Sequence, residues 1–114
     1  VSEPAAVVDA QLEAYFARDL DRYVACFAPG AVITNAAGEV MASGHDGIRE
    51  MYGPLFENSP DLSGRIVNRL AVGRFVADHE AIDGFILHDS PSSIQAIAVY
   101  EVADGKISRV ALYF

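Results

Sequence analysis

The chain has 114 residues, 52% hydrophobic, 21% charged and 10% aromatic, the make-up of one ordinary globular domain spanning residues 1–114. Eight Lys and Arg against sixteen Asp and Glu leave a net charge of -8, the wrong sign for a phosphate backbone, so no nucleic-acid partner is expected. Cys26 has no partner for an intrachain disulfide, the charge-free stretch from Tyr23 to Gly38 is broken by Pro29 and Gly30, and Val1 opens no signal peptide; together these predict a soluble, cytoplasmic protein with no membrane partner.

The hydrophobic period switches once along the chain. Val8, Leu12, Tyr15 and Phe16 follow the spacing of an amphipathic helix, with Ser2 as its cap and Pro4 in its first turn. A second helix starts at the cap Asp19, carries Leu20, Tyr23, Val24 and Phe27 on one face, and is expected to stop at Pro29-Gly30. Two short strands, Val32 to Asn35 and Glu39 to Ala42, flank a turn at Ala36-Ala37-Gly38. A third helix runs from about His45, with Ile48, Met51, Tyr52 and Leu55 on one face and Gly53-Pro54 bending or ending it. After the loop Glu57 to Ser63, long strands are predicted at about 64–74, 75–87, 92–103 and 106–114, the last two joined at Asp104-Gly105.

Three helices followed mainly by a strongly curved sheet make an α+β arrangement, with the helices covering one sheet face. Ile94, Ala96, Ala98 and Tyr100 are apolar on one side of their strand, while Ile97 and Val99 make the other side partly apolar too. That second face is expected to form a homodimer interface, because a half-apolar exposed sheet is a liability for a monomer.

Several junctions resemble a known family. Asp19-Leu20-Asp21 through Cys26-Phe27-Ala28, the segment Gly44-His45-Asp46-Gly47-Ile48-Arg49-Glu50-Met51-Tyr52, and the hairpin Asp104-Gly105-Lys106-Ile107 are similar to the nuclear transport factor two-like superfamily, which includes ketosteroid isomerases and SnoaL-like polyketide cyclases. The resemblance runs almost end to end and implies a cone-shaped barrel: a curved antiparallel or mixed sheet, three N-terminal helices over its concave face, one apolar pocket, and a convex face that often dimerises. It implies no particular chemistry, since fold does not carry function. The ketosteroid isomerases use an Asp base with an oxyanion hole made by a Tyr and a protonated Asp. In this sequence those positions fall on Asn35, Gln11 and Ala98, so steroid isomerisation by that mechanism is rejected. Tyr52 corresponds to the tyrosine that supports the family's oxyanion tyrosine, with Gln11 or Tyr15 as its remaining partner.

Strand parity selects the other pocket candidates. If Ile82 and Gly84 face inward, as the family pattern implies, Glu80 and Asp78 share that face and His79 points to the convex side; a slip of one residue reverses this. A desolvated Glu80 is a candidate general acid or base, or else a hydrated mouth residue paired with Arg69 or Arg74. Tyr15, Tyr52 and Phe114 either line the pocket or fill a core. Asn35 either orients a carbonyl in the pocket or makes an Asx turn. Asp78-His79-Glu80 alternates faces, and His45 and His88 lack ligand spacing, so no metal site is expected. Cys26 reads as a small buried hydrophobe.

The sequence therefore predicts a homodimeric SnoaL-like domain that binds a small, largely apolar molecule. Its expected chemistry is acid–base isomerisation, dehydration or cyclisation of a carbonyl compound, with Glu80 and Asn35 as catalytic residues, Gln11, Tyr15, Tyr52, Asp78, Ala98 and Phe114 binding the ligand, and no cofactor. The competing expectation is a ligand-carrying or scaffold module whose pocket is filled by Met51, Leu55, Phe56 and Phe114. Chemistry like that of limonene epoxide hydrolase needs a pocket Asp-Arg-Asp set, which the strand pattern alone does not assemble.

Overall fold

The computed structural model describes residues 3–87 and 90–114; the expected cap Ser2 and His88 lie outside the described residues. Helices α1 (Pro4–Phe16) and α2 (Leu20–Ala25) are followed by strands β1 (Phe27–Thr34) and β2 (Val40–Ser43), helix α3 (Gly44–Asn58), and strands β3 (Ser63–Val72), β4 (Phe75–Leu87), β5 (Ser90–Ala103) and β6 (Lys106–Tyr113). The six strands form one sheet in the order β2-β1-β6-β5-β4-β3. Every neighbouring pair is antiparallel except β1 with β6. The helices pack on one side of this mixed sheet, as the α+β reading expects.

Local chemistry accounts for most boundaries. Pro4 occupies the first turn of α1, where its missing N–H costs nothing. Asp19 caps α2 by accepting the Arg22 amide at 3.2 Å. One expectation about proline is corrected, and of the two alternatives at Pro54 an end to the helix is excluded. The second helix ends at Ala25, before Pro29-Gly30, and β1 already runs through those residues. They fit there because the ladder to β6 is interrupted: Phe27 pairs with Ile107, and the next pair is Val32 with Arg109. A proline with no N–H to donate is tolerated in such a bulge. The third helix, in turn, passes through Pro54 and ends at Asn58. The hydrogen bond lost is the one to the carbonyl of exposed Glu50, while Tyr52 and Phe56 stay buried on the sheet side of the same turns.

The alternation in β4 is regular where it matters. Val76, Asp78, Glu80 and Ile82 are buried beneath the helices, and Ala77, His79 and Ala81 face outward, half-buried. His79 Nε2 is hydrogen-bonded there to Gln95 Oε1 of β5. Beyond Ile82 the register shifts at Gly84, whose φ of +72° lets the strand turn inward. A Cβ at Gly84 would run into the Asp61 carbonyl, so glycine is required twice over. The core beneath the helices is built on Val8, Val24, Phe27, Ile33, Ile48 and Ile107, all nearly inaccessible. On the opposite face, Phe75, Ile97 and Tyr113 are exposed.

Candidate active site

Between the helices and the concave sheet lies a cavity of about 530 Å³, within the range of small-molecule sites. Helical spacing delivers Gln11 and Tyr15 from α1 and Met51, Tyr52 and Leu55 from α3; strand alternation delivers Glu80 and Ile82 from β4 and Ala96 and Tyr100 from β5. Most of the wall is apolar. Its polar groups are four tyrosines, Gln11, Asn58 and one carboxylate, Glu80.

Glu80 is 5% exposed, and its Oε2 accepts a hydrogen bond from the Tyr100 hydroxyl at 2.8 Å. Burial pushes its carboxyl up to about 7; the Tyr100 bond opposes this, the Asp78 charge adds to it, and Arg69 opposes it. Such a group holds or releases a proton near neutral pH. The geometry depends on small neighbours. Ala96 is paired with Glu80 and Ala98 with Asp78, leaving room for the Tyr100 side chain to reach along the sheet from its own partner Val76.

Three helices bring Tyr15, Tyr23, Tyr52 and Phe56 together, with ring centroids 4.8–6.1 Å apart. Burial raises the hydroxyl of Tyr15 far above its ordinary range and that of Tyr52 to about 12, the latter partly offset by a hydrogen bond from Tyr23 and reinforced by Glu80. Both remain protonated donors at neutral pH. Gln11 is 3% exposed, and its Oε1 is the one buried side-chain polar atom without a partner among the described residues.

Gln11, Tyr15, Tyr52, Glu80 and Phe114 all line the cavity. Asn35 does not, and the structure corrects that expectation: its Oδ1 accepts the Ala37 and Glu39 amides at 3.0 Å each and its Nδ2 donates to Glu39 Oε1 at 3.1 Å. These bonds make the Asx turn that competed with the pocket role. Ala98 is fully buried but does not reach the cavity surface. Asp78 is also corrected: it is fully buried and faces inward, yet it serves an ion pair and not the cavity. Arg69 grips it through Nε at 2.7 Å and Nη2 at 2.9 Å and extends Nη1 to Asp9 at 2.8 Å. An Asp-Arg-Asp set therefore exists, but it lies outside the lining and ties α1 to β3 and β4. Met51, Leu55 and Phe114 line the cavity without filling it, and Phe56 lies behind it in the aromatic cluster.

Tyr23 and Tyr100 were not singled out by sequence reasoning. Tyr100 shares the inward parity of Ala96 and Ala98, a signal that points to the concave side but not to its partner. His45 bonds the Phe27 carbonyl through Nε2 at 2.8 Å, joining the start of α3 to β1. Among the described residues no cluster of His, Cys, Asp or Glu is arranged to hold a metal ion, and no helix is long and apolar enough to cross a membrane.

The model of the SnoaL-like domain matches residues 8–110. This chain belongs to that family. The domain has the nuclear transport factor two-like fold, a cone with a strongly curved sheet. Among solved structures, it is similar to an uncharacterized cystatin-fold protein from Novosphingobium aromaticivorans, with 28% identity, 98% of each chain covered and a TM-score of 0.88. It is also similar to TerC co-crystallized with polyporic acid, with 16% identity, 99% of this chain and 92% of that chain covered, and a TM-score of 0.81. A putative polyketide cyclase from Sinorhizobium meliloti shares 18% identity over 94% of this SnoaL-like chain and 93% of its own, with a TM-score of 0.75. A search of the curated proteins finds no match.

Proposed function

We propose that this SnoaL-like domain binds a small, largely apolar carbonyl compound in its concave cavity and catalyses acid–base isomerisation, dehydration or cyclisation there. One observation carries the reading: the sole carboxylate of the cavity wall among the described residues is buried, bonded to Tyr100 through one oxygen only, and set among protonated tyrosines. In the proposed reaction the Glu80 carboxylate takes a proton from the carbon beside the substrate carbonyl. The C–H electron pair forms a carbon–carbon double bond and the carbonyl π pair moves onto oxygen. Tyr15 and Tyr52 donate hydrogen bonds to that developing oxyanion. Protonated Glu80 then returns the proton to another carbon, completing an isomerisation, or to a leaving hydroxyl, completing a dehydration. The likeness to a putative polyketide cyclase and to a protein crystallised with polyporic acid supports a cyclic carbonyl substrate.

The test is a thermal-shift screen against steroids, polyketide-like aromatics, terpenoids and fatty acids, followed by turnover assays on the class that shifts. Glu80→Gln should abolish turnover while retaining binding; unchanged turnover removes Glu80 from the mechanism. A carrier without chemistry is the second reading, favoured by the position of Asn35, which leaves Glu80 without the catalytic partner expected at that position. Saturable binding with no turnover selects it.

The proposal includes a homodimer through the convex sheet face, supported by the exposure of Phe75, Ile97 and Tyr113 there. A monomeric mass at all concentrations rejects it.

A further inference from the structure

The cavity has no Lys or Arg on its wall. The chain contains eight Lys and Arg residues, all of them among the described residues, and none lines the cavity. Arg69 lies opposite Asp78, and its guanidinium is held by Asp78 and Asp9. Arg22, Arg49 and Arg74 pair with surface acids, Arg18 and Lys106 donate to backbone carbonyls, and Arg65 and Arg109 are exposed.

Apart from Asn58, the polar groups belong to the buried part of the wall. Gln11, Tyr15, Tyr52, Glu80 and Tyr100 are buried, whereas Met41, Pro54, Asn58 and Phe114 are the exposed lining residues and mark the solvent side. A ligand with its polar group innermost therefore meets the tyrosine hydroxyls and Glu80. Glu80 Oε1 accepts no hydrogen bond from the protein among the described residues, so a ligand N–H or O–H would satisfy it. An anionic head at the same place leaves water, finds no Lys or Arg on the wall, and faces the Glu80 carboxylate, while the nearby Arg69 is already taken by Asp78 and Asp9.

We infer that the cavity selects its ligand by charge, admitting a neutral hydroxyl, enol or amide with its polar end innermost and rejecting the carboxylate of the same shape. The inference rests on the site assigned above and names the charge class of its ligand, but it concerns binding alone and needs no turnover.

The probes are 2-naphthamide and 2-naphthoate, which have nearly the same shape and differ in charge, titrated calorimetrically into the wild-type protein at pH 8. The amide should bind roughly ten-fold more tightly or better, the scale of an unpaired charge that is only partly desolvated. Equal or tighter binding of the naphthoate overturns the inference, and so does failure of the amide to bind up to its solubility limit. In Glu80→Gln the preference should shrink several-fold, because the new carboxamide N–H can donate to the bound carboxylate. A preference unchanged in that variant overturns the assignment to Glu80. The two readings separate cleanly: charge selectivity with undiminished turnover in Glu80→Gln removes the acid–base mechanism and leaves selectivity standing. Lost turnover with naphthoate bound as tightly as the amide does the reverse.

Discussion

The Tyr100 hydroxyl donates to Glu80 Oε2 at 2.8 Å across the β4–β5 ladder, four residue pairs along from Val76, the residue directly opposite Tyr100. This bond is the strongest local force keeping the carboxylate charged against the cost of its burial. Tyr100→Phe should therefore shift the Glu80 ionisation midpoint upward from about 7. Following the Glu80 side-chain carboxyl carbon by NMR through a pH titration measures it; an unmoved or lowered midpoint contradicts the role assigned to Tyr100.

Glu80 also makes stability depend on pH. Its carboxyl is raised from about 4.5 to about 7 on folding, so between those values the folded state binds more protons than the unfolded state. Stability from this group is full below about 4.5, declines as pH rises, and levels off above about 7. The whole change amounts to about 3 kcal/mol. Glu80→Gln, which cannot ionise, should gain stability relative to wild type on going from pH 5 to pH 8. Parallel thermal melts at the two pH values test the sign.

The ion pair beside it behaves differently. Asp78 is fully buried with its charge answered by Arg69, so Arg69→Met strands a carboxylate in the interior. Loss of about 3–5 kcal/mol is expected at pH 7. Combining Arg69→Met with Asp78→Leu should recover much of that loss. Denaturant unfolding of the two single variants and the double variant closes the cycle, and simple additivity would argue against a coupled pair.

Gly84 bends β4 beside the site. Gly84→Ala forces an L side chain into a left-handed backbone and against the Asp61 carbonyl, at a cost of about 2–4 kcal/mol. A melting temperature within a degree or two of wild type would show that the bend tolerates a side chain.

By itself the sequence determined what depends on local period and local chemistry. The two-residue repeat of a strand is enough to put Asp78, Glu80 and Ile82 on one face and His79 on the other, and the helical repeat is enough to put Tyr15 and Tyr52 on the apolar faces of their helices, whereas Gln11 was placed by the family resemblance. Asp19 as a helix cap follows from its side chain alone. Pro29 misled, and Pro54 left bending and ending both open, because a proline's preference is local, whereas its tolerance depends on what surrounds it: a bulge against β6 in one case, an exposed turn end in the other. Asn35, expected in the pocket as a catalytic residue, makes the competing Asx turn instead: both alternatives have local support, and only the placement of the 36–38 turn outside the cavity separates them. The distinction between Glu80 and Asp78 was decided by tertiary structure. Both are inward-facing acids two residues apart, but Arg69 comes from the neighbouring strand to neutralise Asp78, held in place by Asp9 from a helix 60 residues earlier. The other meets Tyr100 and an apolar cavity. Burial and cross-strand partners, which no spacing along the chain encodes, are what make one acid a clamp and the other a titrating group near neutral pH.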